Sequence, residues 1–371
     1  MPAKGESESL HPEQLDPNMQ VFGAATEPLT WYSPKTAPFR LAGFAWFERD
    51  GVYRRLPVCP AHPIRPEVNG LANCAAGGQV RFQTDSTRLY VRTVLTGAGS
   101  MWHMPATGQC GFDCYIGPPE RQRYLGTGRL EPDASAYETM LFENLPGEMR
   151  NVTVNMPLYQ GVKELSLGLD PGAQVLPPPP YAREGHCVVY GTSITQGGCA
   201  SRPGMLPTNI LSRRLNVEFV NLGFSGNGRG EPELAHLIAE IENPLAYVLD
   251  YEGNCPDTDT LHKSLPEFVR ILRTAQPTTP IVVFSRIRWV RDVLMEGDRA
   301  EATAWRAFQR ETVESLRAAG DAHIEFVDGS KSFGEDSADE CTVDGIHPTD
   351  LGFLRIADYW APILRRVLKD A

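Results

Sequence analysis

The sequence predicts two domains of different class, an antiparallel β-sandwich followed by an α/β domain built on a parallel sheet. Three observations carry this reading. Before residue 170, short runs alternate polar and apolar residues. After residue 185, apolar runs alternate with amphipathic helical stretches. Between them, Pro171-Gly172 and the four consecutive prolines Pro177 to Pro180 interrupt both patterns.

Residues 1–20 are polar, acidic and proline-bearing, and a flexible tail is expected there. They lack the basic start and apolar core of a signal peptide, so the expected compartment is the cytoplasm unless a leader was trimmed. In residues 21–170, Gln79–Thr84 and Arg88–Leu95 alternate. Asn151–Met156 places Val152, Val154 and Met156 on one face, and Lys163–Asp170 does the same with Leu165, Leu167 and Leu169. Short strands separated by Gly, Pro and Asp turns suggest a sandwich, and no helix is expected between residues 20 and 170. Consecutive prolines favour an extended, stiff segment, so residues 171–184 read as a linker.

Residues 185–371 carry apolar runs at His186–Tyr190, Val217–Leu222, Ala246–Leu249, Pro280–Phe284 and His323–Val327. Leu261, Leu265, Phe268, Val269 and Leu272 share one helical face, with Pro266 expected in that helix's first turn. Trp305, Phe308, Thr312 and Leu316 mark a second helix. Phe353, Ile356, Ala357, Trp360, Leu364 and Val367 mark a final one. Strands alternating with helices imply a parallel sheet covered on both faces. Its binding crevice is expected at the carboxyl ends of the strands.

Composition narrows the chemistry. The chain has 371 residues, 42% hydrophobic and 22% charged, with net charge −11. An acidic balance argues against nucleic-acid or anionic-membrane partners, which select basic surfaces. No apolar stretch approaches the roughly 18 residues of a membrane span. Eight cysteines are too sparse for a disulfide scaffold. Cys110 and Cys114 form a C-x3-C pair without a second Cys/His pair at zinc-site spacing, so they read as buried thiols. No HExxH and no phosphate-binding glycine pattern is present, and neither cofactor nor metal is expected.

Four segments at predicted strand ends carry reactive groups. Gly191-Thr192-Ser193-Ile194-Thr195 exposes a serine after the first run, and Asp344-Gly345-Ile346-His347 sets a carboxylate three residues before an imidazole. A serine hydroxyl is a poor nucleophile until a base takes its proton. A carboxylate on the base's other ring nitrogen orients it and stabilises its cation. These are the parts of a serine hydrolase in the order Ser…Asp…His. Asn221-Leu222-Gly223-Phe224-Ser225-Gly226 offers a backbone N–H, and Asp250-Tyr251-Glu252-Gly253-Asn254 a side-chain amide. Both suit an oxyanion. Singly, each has a structural reading: Ser193 as a helix N-cap, Asn254 and Gly226 as turn residues, Asp344 and His347 as an exposed turn.

Together the four blocks resemble those of SGNH hydrolases of the GDSL-like esterase superfamily. Ser193 matches the nucleophile block, Gly226 the glycine block, Asn254 the asparagine block, and Asp344 with His347 the Asp-x-x-His block. Thr192 and Ile194 depart from the family's Gly-Asp-Ser-Leu, and Cys255 stands where an aspartate is usual. Gly111-Phe112-Asp113-Cys114-Tyr115 resembles the Gly-x-Asp-Leu-Tyr motif of a jelly-roll domain found ahead of some SGNH hydrolases. Residues 38–44 and Tyr53-Arg54-Arg55-Leu56-Pro57 fit the same domain. The resemblance implies a flavodoxin-like three-layer α/β/α catalytic domain, a triad of Ser193, His347 and Asp344, and oxyanion donors on Ser193, Gly226 and Asn254. It also implies esterase activity on a small-molecule or oligosaccharide ester. Several such relatives, mostly bacterial, remove acetyl groups from carbohydrate. A lysophospholipase or acyl-thioesterase is the alternative enzyme, and a glycan-binding protein with an inactive hydrolase half the alternative of another class.

Arg286, Arg288 and Trp289 follow the fourth run and are candidates to line the crevice. Trp102 and His103 are candidate substrate-wall residues reaching across from the sandwich, or else packing groups. Asp113 is expected to bind backbone groups within a turn. Cys199 and Cys255, both near the blocks, are read as free buried thiols rather than a pair.

Overall fold

The computed structural model describes residues 12–16, 19–21 and 24–369. Most of the expected tail lies outside the described residues; within it Pro12–Leu15 forms one helical turn.

The first half holds β1 (Thr30–Tyr32), β2 (Arg40–Ala42), β3 (Gln79–Thr84), β4 (Leu89–Leu95), β5 (Asp113–Ile116), β6 (Arg123–Thr127), β7 (Ala136–Phe142), β8 (Arg150–Asn155), β9 (Val162–Leu169) and β10 (Val175–Leu176). They form two antiparallel sheets, ordered β1-β9-β4-β7 and β10-β3-β8-β5-β6, with β2 also on β3. Period-two alternation selects the buried face. Val80 pairs with Val154 and Phe82 with Val152 across β3 and β8. These four meet Val91, Leu165 and Leu167 of the other sheet in a common core. Contrary to expectation, three short helices interrupt this half: Phe47–Asp50, Pro66–Leu71 and Ala106–Gln109. At four to six residues they are too short to show a helical hydrophobic period, and Pro66 at the first helical position is the one local signal.

The second half holds β11 (His186–Gly191), β12 (Glu218–Gly223), β13 (Pro244–Asp250), β14 (Ile281–Phe284) and β15 (Ile324–Val327). All pair in parallel, in the order β12-β11-β13-β14-β15. Alternate residues of β11 serve opposite faces. Cys187 and Val189 pack with Ile210, Phe353 and Trp360, whereas Val188 and Tyr190 pack with Leu234, Leu265, Phe268 and Trp305. Helices 207–215 and 350–367 therefore cover one side, and helices 232–239, 258–275 and 296–318 the other. Pro266 lies in the interior of its helix, not its first turn. Asp257 caps Thr258–Ala275 by accepting from the Thr260 N–H, so the helix begins a turn before the apolar face does. The helix of Trp305 packs Phe308 and Leu316 half-buried against the core as expected, and its most buried face turns slightly to take in Gln309 and Val313 as well.

The halves are not joined by a free spacer. β10 forms inside the expected linker and pairs with β3. The Pro177 and Pro179 carbonyls accept from the side chains of Gln83 and Arg81. The polar face of β3, β5 and β8, which its alternation would assign to solvent, is buried against the α/β domain. Asp113 shows how it is satisfied. Its side chain is fully buried and accepts from Arg202 at 2.8 Å, the Gly204 N–H at 2.7 Å and Asn155 at 2.7 Å. It sits on β5, not in a turn, and its partners lie mostly across the domain boundary. Arg55, also fully buried, donates to Cys74 and Leu71 in its own domain and to the Gly223 carbonyl at the end of β12.

Candidate active site

The carboxyl ends of β11, β12 and β13 converge on one cavity of about 300 Å³ lined by Ser193, Gly226, Asp250, Asn254, Arg286, Trp289 and His347, among others. A larger cavity of about 790 Å³ at the β15 edge holds no nucleophile beside a base, so size alone does not locate the site.

β11 delivers the nucleophile. Thr192, in extended conformation, caps the short helix Ser193–Gln196 by accepting from the Ile194 N–H. Ser193 is thus the first helical residue rather than the cap. Its Oγ lies 2.9 Å from His347 Nε2, and His347 Nδ1 lies 2.8 Å from Asp344 Oδ2. The other Asp344 oxygen accepts from the backbone N–H groups of Ile346 and His347. Burial acts to raise the Asp344 pKa, but these hydrogen bonds outweigh it and hold the carboxyl below its ordinary value. An ionised Asp344 fixes Nδ1 as the protonated nitrogen and leaves the Nε2 lone pair facing Ser193.

β12 and β13 deliver the candidate oxyanion donors. Gly226 has a left-handed φ of 68°, and a side chain there would meet nothing within 4 Å, so the backbone at this turn is open. Gly228 is needed for the opposite reason, since a Cβ would lie 2.1 Å from the Gly191 carbonyl. Asn254 accepts from the Gly228 N–H through Oδ1 at 3.3 Å, which leaves its amide N–H groups available to donate.

The sandwich braces this arrangement from behind. Gln196 is buried, donates to the Leu158 carbonyl at 3.2 Å and accepts from the Ser225 N–H at 3.0 Å. Tyr159 OH lies 3.4 Å from both the Ser193 carbonyl and Ser225 Oγ. Neither Gln196 nor Tyr159 carries a sequence signal for this role, because their partners, the Leu158 carbonyl, the Ser225 N–H and hydroxyl and the Ser193 carbonyl, are distant in the chain or belong to the backbone.

Arg286 and Trp289 line the cavity. Arg286 bonds both Asp292 oxygens at 2.7 and 2.8 Å, stands 3.7 Å from Glu252, and stacks on Trp289 at 3.8 Å. Burial pushes Glu252 up to about 7, with Arg286 opposing. Arg288 does not line the main cavity. Trp102 and His103 do not line it either. Trp102 is 84% exposed, and its ring stacks on His103. His103 reaches the site from the Asp344 side, with its ring edge-on to His347 at 5.4 Å. Asp250 lines the cavity and was missed as a lining residue, although the end of β13 was legible. Burial raises its pKa well above the carboxylate range, and a hydrogen bond from Thr195 at 3.2 Å opposes this only in part. All eight cysteines are free, Cys199 and Cys255 included. Cys110 and Cys114 are buried in the sandwich core.

Residues 184–365 match the GDSL-like lipase/acylhydrolase family, and residues 29–175 match the GxDLY family, the N-terminus of SGNH-hydrolase-type esterases. No curated protein matches the chain. Among solved structures, a GDSL-like lipase from Bacteroides ovatus is 29% identical, with a TM-score of 0.84 over 92% of this chain and 98% of that one. A salicylyl-acyltransferase, SsfX3 from a tetracycline biosynthetic pathway, is 23% identical, with a TM-score of 0.72 over 89% and 95%. A family two carbohydrate esterase from Clostridium thermocellum, solved with cellohexaose, is 15% identical, with a TM-score of 0.55 over 80% and 94%. The chain thus joins a hydrolase domain of the GDSL-like (SGNH) family, residues 184–365, to a preceding β-sandwich of the GxDLY family, residues 29–175.

Proposed function

We propose that this protein is a serine esterase that hydrolyses carboxylic esters of short acyl groups, with an acylated carbohydrate as substrate, through an acyl-enzyme on Ser193. The observation that carries this reading is the continuous chain Ser193 Oγ–His347 Nε2, 2.9 Å, and His347 Nδ1–Asp344, 2.8 Å, opening on the cavity that Gly226 and Asn254 also line. His347 takes the Ser193 proton as Oγ attacks the ester carbonyl, and Asp344 stabilises the imidazolium. The N–H groups of Ser193 and Gly226 and the Asn254 amide receive the oxyanion, and losing one such donor typically costs about 10²–10³ in kcat. The imidazolium returns its proton to the leaving alcohol. Water, deprotonated by His347, then releases the acid and restores Ser193.

Cavity size supports a short acyl group. About 300 Å³ lies at the small end of ligand pockets, which run from roughly 300 to 1,000 Å³, and this argues against a lysophospholipase or long-chain thioesterase. The sugar reading is supported by the lining: the polar groups of Asp250, Asn254 and Arg286, with Trp289 under the Arg286 guanidinium, suit a hydroxylated ring better than an alkyl chain. Neighbours of the same fold that act as carbohydrate esterases point the same way. The SsfX3 acyltransferase gives a second reading, in which another alcohol replaces water in the deacylation step.

Turnover of p-nitrophenyl esters from acetate to palmitate, alongside acetylated oligosaccharides and with and without an acceptor alcohol, tests these readings. The expected result is hydrolysis that peaks at acetate or propionate and vanishes in Ser193→Ala, with the thermal midpoint unchanged. No turnover of any ester would overturn the proposal.

A further inference from the structure

We propose that His103, Cys199 and His347 form a binding site for one zinc ion, and that filling it switches off the esterase. The inhibitory half of this proposal rests on the reading of His347 as the base for Ser193.

The three side chains come from distant parts of the chain: a sandwich loop, the turn after the nucleophile helix, and the Asp-x-x-His block. Their donor atoms all lie within 4.8 Å of one another. Zinc holds imidazole nitrogen at about 2.0–2.1 Å and thiolate sulfur at about 2.3 Å. Tetrahedral donors then sit roughly 3.3–3.8 Å apart, so closing the cluster takes a side-chain movement of about 1 Å. Two imidazoles and a thiol are the donor set that zinc selects and that magnesium and calcium do not.

The state of His103 is the second observation. Its Nδ1 is buried and has no hydrogen-bond partner among the described residues. Its Nε2 stands 4.0 Å from Asp344 Oδ2, beyond hydrogen-bond reach. Buried polar groups are ordinarily satisfied, yet Nδ1 of this imidazole, which stacks on Trp102, has no partner among the described residues. Cys199 beside it is a free, buried thiol. A zinc ion would give both a partner, with release of the thiol proton to solvent. Asp344 or a water would complete the fourth position.

Either way of engaging His347 disables it. A metal on Nε2 occupies the lone pair that must take the Ser193 proton. A metal on Nδ1 leaves the neutral ring's proton on Nε2, which then meets Ser193 as a donor instead of an acceptor.

The test uses metal-stripped full-length protein carrying Cys59→Ser, which removes the exposed thiol. Zinc chloride is titrated by calorimetry and, in parallel, against ester hydrolysis, each variant being referred to its own metal-free rate. The expected result is one zinc per chain, loss of hydrolysis along the same binding curve, recovery with EDTA, and no effect of magnesium. His103→Gln and Cys199→Ala should each weaken both curves by about tenfold or more, the scale on which even outer-shell partners affect metal affinity. Thermal unfolding checks that both variants are folded. Equal zinc potency in both variants, or no stoichiometric binding, would overturn the site. If the metal-free protein hydrolyses no ester, the functional reading fails instead, and the calorimetry still decides the site.

Discussion

The two halves of the chain approach the same cavity in different ways. Among the described residues, the α/β domain supplies every group that lines it, Ser193, His347, Asn254, Gly226, Asp250, Arg286 and Trp289 among them. The described residues of the sandwich supply none of the lining, yet Leu158 and Tyr159 hold the nucleophile loop through Gln196 and the Ser193 carbonyl. The difference teaches that a domain can be integral to a site without touching what the site binds. Its contribution is to fix the rotamers and backbone behind the reacting groups, which is where precision at a catalytic site is set.

Substitutions can break or sharpen this contrast. The largest effect is expected on the α/β side. Asp344→Asn should lower kcat by about 10⁴, as loss of the orienting carboxylate does in comparable triads, with little change in urea midpoint. A comparable kcat loss from a sandwich substitution would erase the distinction. Next comes Asp113→Ala, which leaves the Arg202 guanidinium and the Gly204 N–H without their buried acceptor. Removing one partner of such a pair costs about 3–5 kcal/mol, to be read from denaturant unfolding, while kcat per folded molecule stays near the parent value.

A smaller effect is expected at Glu252, whose carboxyl is pushed up to about 7 by burial. A raised carboxyl pKa means the folded state favours the proton. Its stabilising contribution is therefore full below about 4.5 and is lost as pH rises through about 7. Glu252→Gln should flatten the dependence of the unfolding midpoint across that window, and an unchanged slope would remove Glu252 from the account. Smallest of all, Trp102→Ala should shift stability by no more than about 0.5 kcal/mol and leave KM for small esters unchanged. A raised KM would make the sandwich a substrate arm after all.

Much of this contrast was legible before the structure, but unevenly. All five parallel strands begin and end within about two residues of the apolar runs at His186, Val217, Ala246, Pro280 and His323, because strands buried on both faces read as continuous apolar stretches. β5, β6 and β7 were not found. β6 carries Gly126 and exposed residues, and β7 is half-buried and reads Ala-Tyr-Glu-Thr-Met-Leu-Phe, so neither alternates cleanly. The four blocks named Ser193, Gly226, Asn254, Asp344 and His347 in advance. No sequence pattern could have paired Asp113 with Arg202, since that contact joins side chains across a domain boundary; His103, offered by the sequence as reaching across from the sandwich, does stand beside His347 but does not line the cavity. The polar face of β3, β5 and β8 was legible as polar but not as buried. Alternation records that a face is not greasy, whereas a neighbour that satisfies each of its groups is invisible in one strand's sequence.

The cores of the two halves are not separate volumes. Ala76, Met104 and Leu158 of the sandwich pack in one cluster with Cys187, Val189 and Ile210, while Trp46, Leu56 and Val68 join Val188 and Leu222 on the other side of the sheet. Cutting the chain in the proline segment would therefore not release a ready-made enzyme. Each fragment would carry half of a mating surface, greasy in patches and lined elsewhere with stranded donors and acceptors, and would be expected to clump rather than to work. Anyone borrowing this hydrolase for a fusion or a circular permutation should keep the sandwich and the α/β domain together as one piece.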